Sequence, residues 1–429
     1  MRTKLLLASM FALSVQQTVL AQTDANGYST VNLTTGADYQ NRVFFDFSAN
    51  NIVSQPANTW DIAFFRNSSM SFGTRINDAQ RVEVYQASAV PAEWDNINIA
   101  NIASWGPILY NPDQTTSIQE GAFEQGSAAY GWGDYNGATH HIDGKVIFVL
   151  KYTTATNTNT YIKFMITDYF GGYTFKYSKW NGTAWGTTQT KTIANGADDA
   201  YFNYFSFATE DKVANLEPSK ANWDLMFTRY WTDYTYPGGS MMYKMAGVIQ
   251  NPSVTVAKVQ PETQATPTSN LPAAGAFSNK ITAIGHSWKP VSGVYNDAVY
   301  YVKRGSEYYR MYFISNEGAT TGNMYFKYKN ITATLGVKEI GTKASFGIYP
   351  NPTGADKKVT VLFDVKEKAN SKGNIEVYDL SGKQVYKAEL TNQSGFYKQD
   401  LNLSTLTSGT YLVKITYGGN TETKKLIVK

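Results

Sequence analysis

Trp60-Asp61-Ile62-Ala63-Phe64-Phe65-Arg66 returns 163 residues later as Trp223-Asp224-Leu225-Met226-Phe227-Thr228-Arg229. Side chains alternate between faces in an extended chain. Trp60, Ile62 and Phe64 are therefore expected on one face, and Trp223, Leu225 and Phe227 repeat the pattern. Each block is read as a central core strand. Asp61 and Asp224 point the other way and are expected to accept hydrogen bonds from a turn or a neighbouring strand. An aromatic strand precedes each copy, Phe44-Phe45-Asp46-Phe47 and Tyr204-Phe205-Ser206-Phe207. Further along, Val146-Ile147-Phe148-Val149 matches Val299-Tyr300-Tyr301-Val302. The run from Tyr161 to Ile166 matches Tyr309 to Ile314, and Thr174-Phe175-Lys176-Tyr177 matches Tyr325-Phe326-Lys327-Tyr328. The blocks keep their order while the spacing falls from 163 to 151 residues. A period that long is a duplicated domain and not a solenoid repeat.

The rest of the sequence supports an all-β reading. Of 429 residues, 42% are hydrophobic and 17% charged, so there is material for cores. Aromatic residues make up 14%, which favours half-buried strands. Asn, Thr, Gly and Asp clusters separate short β-rich runs, and no segment shows a sustained helical period with caps. There are no cysteines, which excludes disulfide frameworks, thiol nucleophiles, iron–sulfur clusters and Cys-zinc sites. The chain carries a net +4, but that charge sits at its ends. Arg2 and Lys4 mark the start, and residues 346–429 hold 12 Lys against 8 acidic residues. Removing both ends leaves residues 22–345 at about −2. Such a body lacks the basic footprint of a nucleic-acid binder.

Residues 1–21 read as a secretory signal: a basic start, a short apolar run over 5–15, and Val19-Leu20-Ala21 before cleavage. No other stretch approaches the ~20 apolar residues of a transmembrane helix. The expected division is a first β domain over 22–190, a second over 191–335, a linker over 336–345 and a small β-sandwich over 346–429. In that last part, Asp379-Leu380-Ser381-Gly382-Lys383 makes a hairpin turn between strand runs.

Two resemblances follow. The tail resembles the type A sorting domain of the type IX secretion system of Bacteroidota. It does so through Tyr349-Pro350-Asn351-Pro352, Val377-Tyr378-Asp379-Leu380-Ser381-Gly382, the stretch from Leu406 to Lys414, and the terminal Lys424-Lys425-Leu426-Ile427-Val428-Lys429. That resemblance implies an Ig-like sandwich, passage across the outer membrane by the type IX machinery, and release or surface attachment. The body resembles two tandem copies of the HmuY family of haem-binding proteins. The Trp-Asp blocks carry this resemblance, with the Val146, Tyr161 and Phe175 strands and their partners at Val299, Tyr309 and Phe326. It implies an all-β fold with a sheet-built pocket at one end of each copy, two axial His or Met ligands to haem iron, and delivery to an outer-membrane haem receptor.

On that resemblance the ligand candidates are His and Met side chains, because haem iron accepts an imidazole nitrogen or a thioether sulfur on each face. In the second copy they are His286, in the loop before Val299, and Met241, Met242 and Met245 in the segment between Gly238 and Gly247. Met241 and Met245 share strand parity and Met242 faces the opposite side. In the first copy they are His140, His141 and Met70. The three histidines are also the metal candidates, although two imidazoles alone make a weak site. Exposed loop histidines and methionine packing are the structural alternatives. Neither copy carries two histidines at the family's ligand positions, so the fold could persist without haem.

The leading expectation is therefore a secreted or cell-surface, non-catalytic haem scavenger. The alternative is an adhesin or glycan binder, with Trp180, Asn181, Trp185 and the aromatic stretch 230–236 as candidate stacking residues. The sequence shows no HExxH, GxSxG, P-loop or dinucleotide motif, and no enzyme is expected.

Overall fold

The structure, a computed structural model, describes residues 15–18, 23–67, 71–197, 199–264, 271–332 and 344–429. The expected signal segment lies outside the described residues apart from Val15–Thr18, as does the expected linker up to residue 343. The chain forms two compact units, a body that ends at Asn330 and a tail from Ile331 to Lys429. Both are all-β.

Along the body the strands are β1 (Val15–Thr18), β2 (Ser29–Thr34), β3 (Asn41–Asp46), β4 (Asn51–Pro56), β5 (Ile62–Phe65), β6 (Thr74–Ile76) and β7 (Val82–Ser88). After a long loop come β8 (Gly133–Tyr135), β9 (Ile142–Gly144), β10 (Ile147–Thr153), β11 (Asn159–Tyr169), β12 (Gly172–Lys179), β13 (Gln189–Ala194), β14 (Phe202–Ser206) and β15 (Asp211–Val213). The second half holds β16 (Leu225–Tyr236), β17 (Gly239–Gln250), β18 (Val254–Val259), β19 (Val299–Arg304), β20 (Glu307–Asn316) and β21 (Asn323–Asn330).

These strands build two sandwiches. In the first, β13-β12-β11-β10-β7 faces β15-β14-β5-β6 across a core that includes Ile62, Phe64, Phe148, Phe164, Phe175 and Phe205. In the second, β18-β19-β20-β21-β2 faces β1-β4-β3-β16-β17 across Phe45, Phe47, Phe227, Trp288, Phe313 and Phe326. The strands that carry the repeated blocks occupy matching places in the two, while β8 and β9 are additions to the first and β1 to the second.

The sheets do not divide the chain near residue 190. Strands β2, β3 and β4 belong to the second sandwich, and β13, β14 and β15 close the first. Each aromatic strand pairs with the Trp-Asp strand of the other copy: Phe45 lies opposite Leu225, and Phe205 opposite Ile62. The first sandwich is therefore contiguous, from β5 to β15, and sits inside a discontinuous second one. The physical reason is degeneracy. Two near-identical aromatic strands can complete either Trp-Asp strand with the same side-chain burial, so the pattern alone does not choose between them.

Both aspartates accept a backbone hydrogen bond across this exchange. Phe207 N donates to Asp61 Oδ2 at 2.6 Å, and Phe47 N donates to Asp224 Oδ2 at 2.7 Å. The tryptophans depart from the expected alternation. Ile62 and Phe64 enter the first core, but Trp60 joins a buried cluster with Ala63, Tyr204, Trp223 and Met226 at the seam between the sandwiches. Strand β5 begins only at Ile62, so the two-residue period does not reach back to Trp60.

The loop between β7 and β8 is pinned by Glu124. Its carboxylate accepts from Thr74 N, Thr74 Oγ1 and Gly121 N at 2.8–3.1 Å. Burial nevertheless raises its pKa from 4.5 to about 7. The folded state then binds this proton more tightly than the unfolded chain. The contribution is complete below about pH 4.5 and is lost as pH rises to about 7, a change of about 3 kcal/mol. Burial pushes Asp78 and Asp224 up to about 6, with the same sign. Calorimetry is expected to show the body's Tm falling between pH 5 and pH 8, with a shallower fall in Glu124→Gln. A Tm that rises over this interval would contradict the assignment.

In the tail, β22 (Ala344–Tyr349), β23 (Lys358–Val365) and β26 (Gly395–Asn402) form one sheet. The other holds β24 (Gly373–Tyr378), β25 (Gln384–Leu390), β27 (Gly409–Tyr417) and β28 (Asn420–Val428), and the two enclose Val361, Ile375, Val377, Leu401, Val413 and Leu426. The turn after β24 is built as its sequence suggests. Asp379 Oδ1 accepts from Ser381 N, Ser381 Oγ and Lys383 N, and Gly382 sits at φ +85°.

Candidate ligand-binding site

The largest difference between the copies is one hairpin. In the first sandwich, β5 and β6 have four and three residues. Their counterparts β16 and β17 have twelve each, in unbroken register from Leu225 opposite Gln250 to Tyr236 opposite Gly239. On its other side β16 pairs with β3 only at residues 225–227. Beyond Phe227 the hairpin continues as a two-stranded arm.

One face of this arm carries Tyr230, Thr232, Tyr234 and Tyr236 from β16, opposite Met245, Tyr243, Met241 and Gly239 from β17. Against that face lies the loop after Gly285. It is tied down by a reciprocal backbone pair, Val248 N to Gly285 O at 2.9 Å and Gly285 N to Val248 O at 3.1 Å. The approach is close enough to require glycine twice. A Cβ on Gly247 would come within 2.6 Å of Gly285 O, and Gly285, at φ +51°, would place one 2.8 Å from the Tyr230 hydroxyl.

Arm and loop border an open cleft of about 1080 Å³. Its walls include Tyr234, Tyr236, Tyr243, Tyr39 and Tyr295, with Met241 and Met245 on the arm, His286 on the loop, and Lys258 and Lys289 at the edge. The His286 Nδ1 and the Tyr230 hydroxyl are 2.9 Å apart. In the tautomer whose Nδ1–H donates to the phenol oxygen, Nε2 carries the ring's free lone pair. Burial lowers the His286 pKa, and neighbouring Lys289 lowers it further, so the imidazole is held neutral. Burial also brings Lys289 down to about 8 and lowers Lys258, whose ammonium donates to Ser287 O at 2.7 Å.

The first copy's long loop braces this loop from behind. Thr282 Oγ1 donates to Asp113 O at 2.5 Å, and Gln114 Nε2 donates to Thr282 Oγ1 at 3.1 Å. Ile281 N donates to Thr115 O at 2.9 Å, and Tyr110 packs on Trp231 with ring centroids 5.0 Å apart.

The sequence candidates thus separate. His286, Met241 and Met245 line one cavity, and Met242 lies on the arm's other face, opposite Asp233. His140 and His141 sit in the turn between β8 and β9, away from that cavity. His140, at φ +62°, is exposed, and its Nδ1 lies 2.5 Å from the Tyr135 hydroxyl. The half-buried His141 stacks on Phe170 at 4.5 Å and meets Asp168 at 2.6 Å. Met70 lies outside the described residues. Among the described residues, no group of three or more His, Asp or Glu side chains is placed to hold a metal ion.

The tyrosine wall and both lysines were not assigned to this site from sequence. Tyr234 and Tyr236 were noted only as stacking residues, although their two-residue spacing already placed them on one face. The other aromatic candidates lie in a separate cleft of about 520 Å³ in the first sandwich. There Trp180 and Trp185 cross at 73°, and the Trp185 indole donates to Ile97 O. Crossed rings do not form the coplanar platform that sugar stacking needs.

Residues 347–429 match the family model described as the secretion system C-terminal sorting domain. The tail is a type IX sorting domain, and the protein is exported to the cell surface or secreted. No curated protein matches the chain. Among the described residues, no helix is long and apolar enough to cross a membrane.

Proposed function

We propose that the body is a non-catalytic haem carrier outside the cell, with its site in the cavity under the β16–β17 arm. The carrying observation is His286. It is a half-buried imidazole whose pKa is lowered by burial, held at Nδ1 by Tyr230, on a cleft that Met241 and Met245 also line. An imidazole held through its other ring nitrogen is the arrangement that metal-ligating histidines adopt.

The rest of the cavity fits the same cargo. Its volume lies just above the ~300–1,000 Å³ range of ligand pockets, large enough for a macrocycle. Tyrosine rings supply flat apolar walls, and Lys258 and Lys289 supply cations suited to propionates. His286 and either Met241 or Met245 would hold the iron. The iron would supply only coordination strength, and the protein's part is to bind, orient and shield the cargo. The tandem HmuY-like resemblance supports this reading. The duplication then has a division of labour: the second copy binds, while the first, with its short β5–β6 hairpin, braces the ligand loop. Delivery to an outer-membrane receptor would follow binding.

The test is a haemin titration of the whole chain followed by absorbance, beside a double His140→Ala/His141→Ala variant. A saturable Soret shift at one haem per chain is expected, unchanged in the double variant. Linear, unsaturable absorbance in both iron oxidation states would reject haem. The adhesin or glycan-binding reading would then be pursued at the same tyrosine-lined cavity.

A further inference from the structure

At the seam between the sandwiches lies a second, much smaller cavity of about 50 Å³. Both copies line it, and it receives both tryptophans of the repeated block. Eight buried side-chain polar atoms lack a hydrogen-bond partner among the described residues, and four belong to residues lining this one cavity. They are Arg42 Nε, Trp60 Nε1, Trp223 Nε1 and Asp78 Oδ1. These residues are only 5%, 7%, 0% and 9% exposed. Buried polar groups are almost always paired, so four orphans around one void point to a missing partner.

The chemistry of the four atoms selects that partner. Three are N–H donors and one is a carboxylate acceptor. A halide would satisfy the donors but would face the carboxylates of Asp78 and Glu217. A metal cation would satisfy Asp78 but would face Arg42, Arg75 and Arg229. Water accepts from the three donors and donates to the acceptor. A cavity needs roughly 10–15 Å³ for each water, so this one has room for about three or four.

We propose that the seam cavity is a resident water-binding site, a small ordered cluster that links Trp60 of one copy to Trp223 of the other and bridges Arg42 to Asp78. Arg42 is well placed to anchor it. One guanidinium nitrogen donates to Leu216 O at 2.7 Å, and the group lies over the rings of Tyr204, Trp60 and Phe44 at 4.5–5.4 Å, leaving Nε for the cluster. The site also gives the repeated block a reason to begin with tryptophan. The indole N–H supplies a donor at the seam that phenylalanine lacks.

A crystal structure of the whole chain, with a second crystal soaked in bromide, tests this. Water peaks are expected about 2.7–3.2 Å from the four atoms, with no anomalous bromide signal in the cavity. A bromide peak would make it an anion site, and featureless density would make it a dry void. Either result overturns the proposal. In Trp60→Phe and Trp223→Phe crystals, the water bonded to the missing indole should be lost or displaced. An unchanged set of peaks in both variants would overturn the tryptophans' role. Should neither variant fold, water-to-indole cross-relaxation in the wild-type NMR spectrum provides the same readout. Long-lived water contacts at both indole N–H groups are expected, and their absence would count against the site.

Discussion

Asp224→Ala is expected to destabilise the body by about 3 to 5 kcal/mol, the cost of breaking a buried charged pair. Asp224 is fully buried, and its two oxygens serve different partners. Oδ2 accepts from Phe47 N at 2.7 Å, and Oδ1 accepts from Arg304 at 2.5 Å. Removing the carboxylate leaves the partly buried Arg304 guanidinium with Ala221 O and with the Asp46 carboxylate, which lies 3.8 Å away. Against a typical total stability of ~5–15 kcal/mol, the loss is severe. The equivalent Asp61→Ala should cost less, about 1 to 3 kcal/mol. Asp61 has the matching bond from Phe207 N, but its other side-chain partners, the Gln80 amide at 3.1 Å among them, are neutral. Chemical denaturation of both variants checks the order. Equal losses would mean that Arg304 adds nothing. Amide exchange adds a test of the exchanged strands. Asp224→Ala should expose the Phe47 amide, 177 residues away in sequence, and leave Phe207 protected.

That pair of aspartates also shows how far the sequence could be read. Alternation placed Asp61 and Asp224 off the core face as backbone acceptors, and both are. The repeated blocks implied two equivalent β units, and two sandwiches with matching strands are present. The tail was legible as a small β-sandwich with its hairpin turn after Tyr378, because that turn's chemistry is local, although strands β22, β25 and β26 were not read from the sequence. Connectivity was not legible. Choosing between Phe45 and Phe205 as the neighbour of Leu225 depends on closure of the whole body, and no local signal encodes it. Trp60 was misplaced for a related reason. The two-residue period holds only inside a strand, and β5 starts two residues later.

The cavity was half legible. Parity separated Met241 and Met245 from Met242, and the resemblance singled out His286 by its place in the loop before Val299. What the sequence hid was the length of the arm and the brace behind it. A strand twelve residues long is visible as alternating Tyr and Met only once Pro237-Gly238 is recognised as its turn. The contacts of Asp113, Gln114 and Thr115 join segments over 160 residues apart. Tyr230 belongs to the stretch read as stacking aromatics, and its part as a polar partner was not legible there. Its role at the Nδ1 of His286 depends on the Gly247–Gly285 contact that brings loop and strand together.

His286→Ala is expected to weaken haem binding by more than about 100-fold, because losing a ligand should cost at least as much as losing its supporting bond, ~10–100-fold. Tyr230→Phe should fall within that lower range, since it leaves the imidazole but removes the partner 2.9 Å from Nδ1. The two together separate coordination from packing. A cavity that held haem only by apolar contact would lose little in either variant, because the tyrosine walls remain. Met241→Leu and Met245→Leu keep side-chain volume and remove the sulfur, so only the ligating methionine should change the six-coordinate bands. Met245 is half-buried against the seam cluster and Met241 is 46% exposed, which makes Met245 the better-held sulfur and the expected ligand. If His286→Ala titrates like the unmodified chain, the imidazole is not a ligand, and the Tyr230–His286 pair serves only to fasten the loop to the arm.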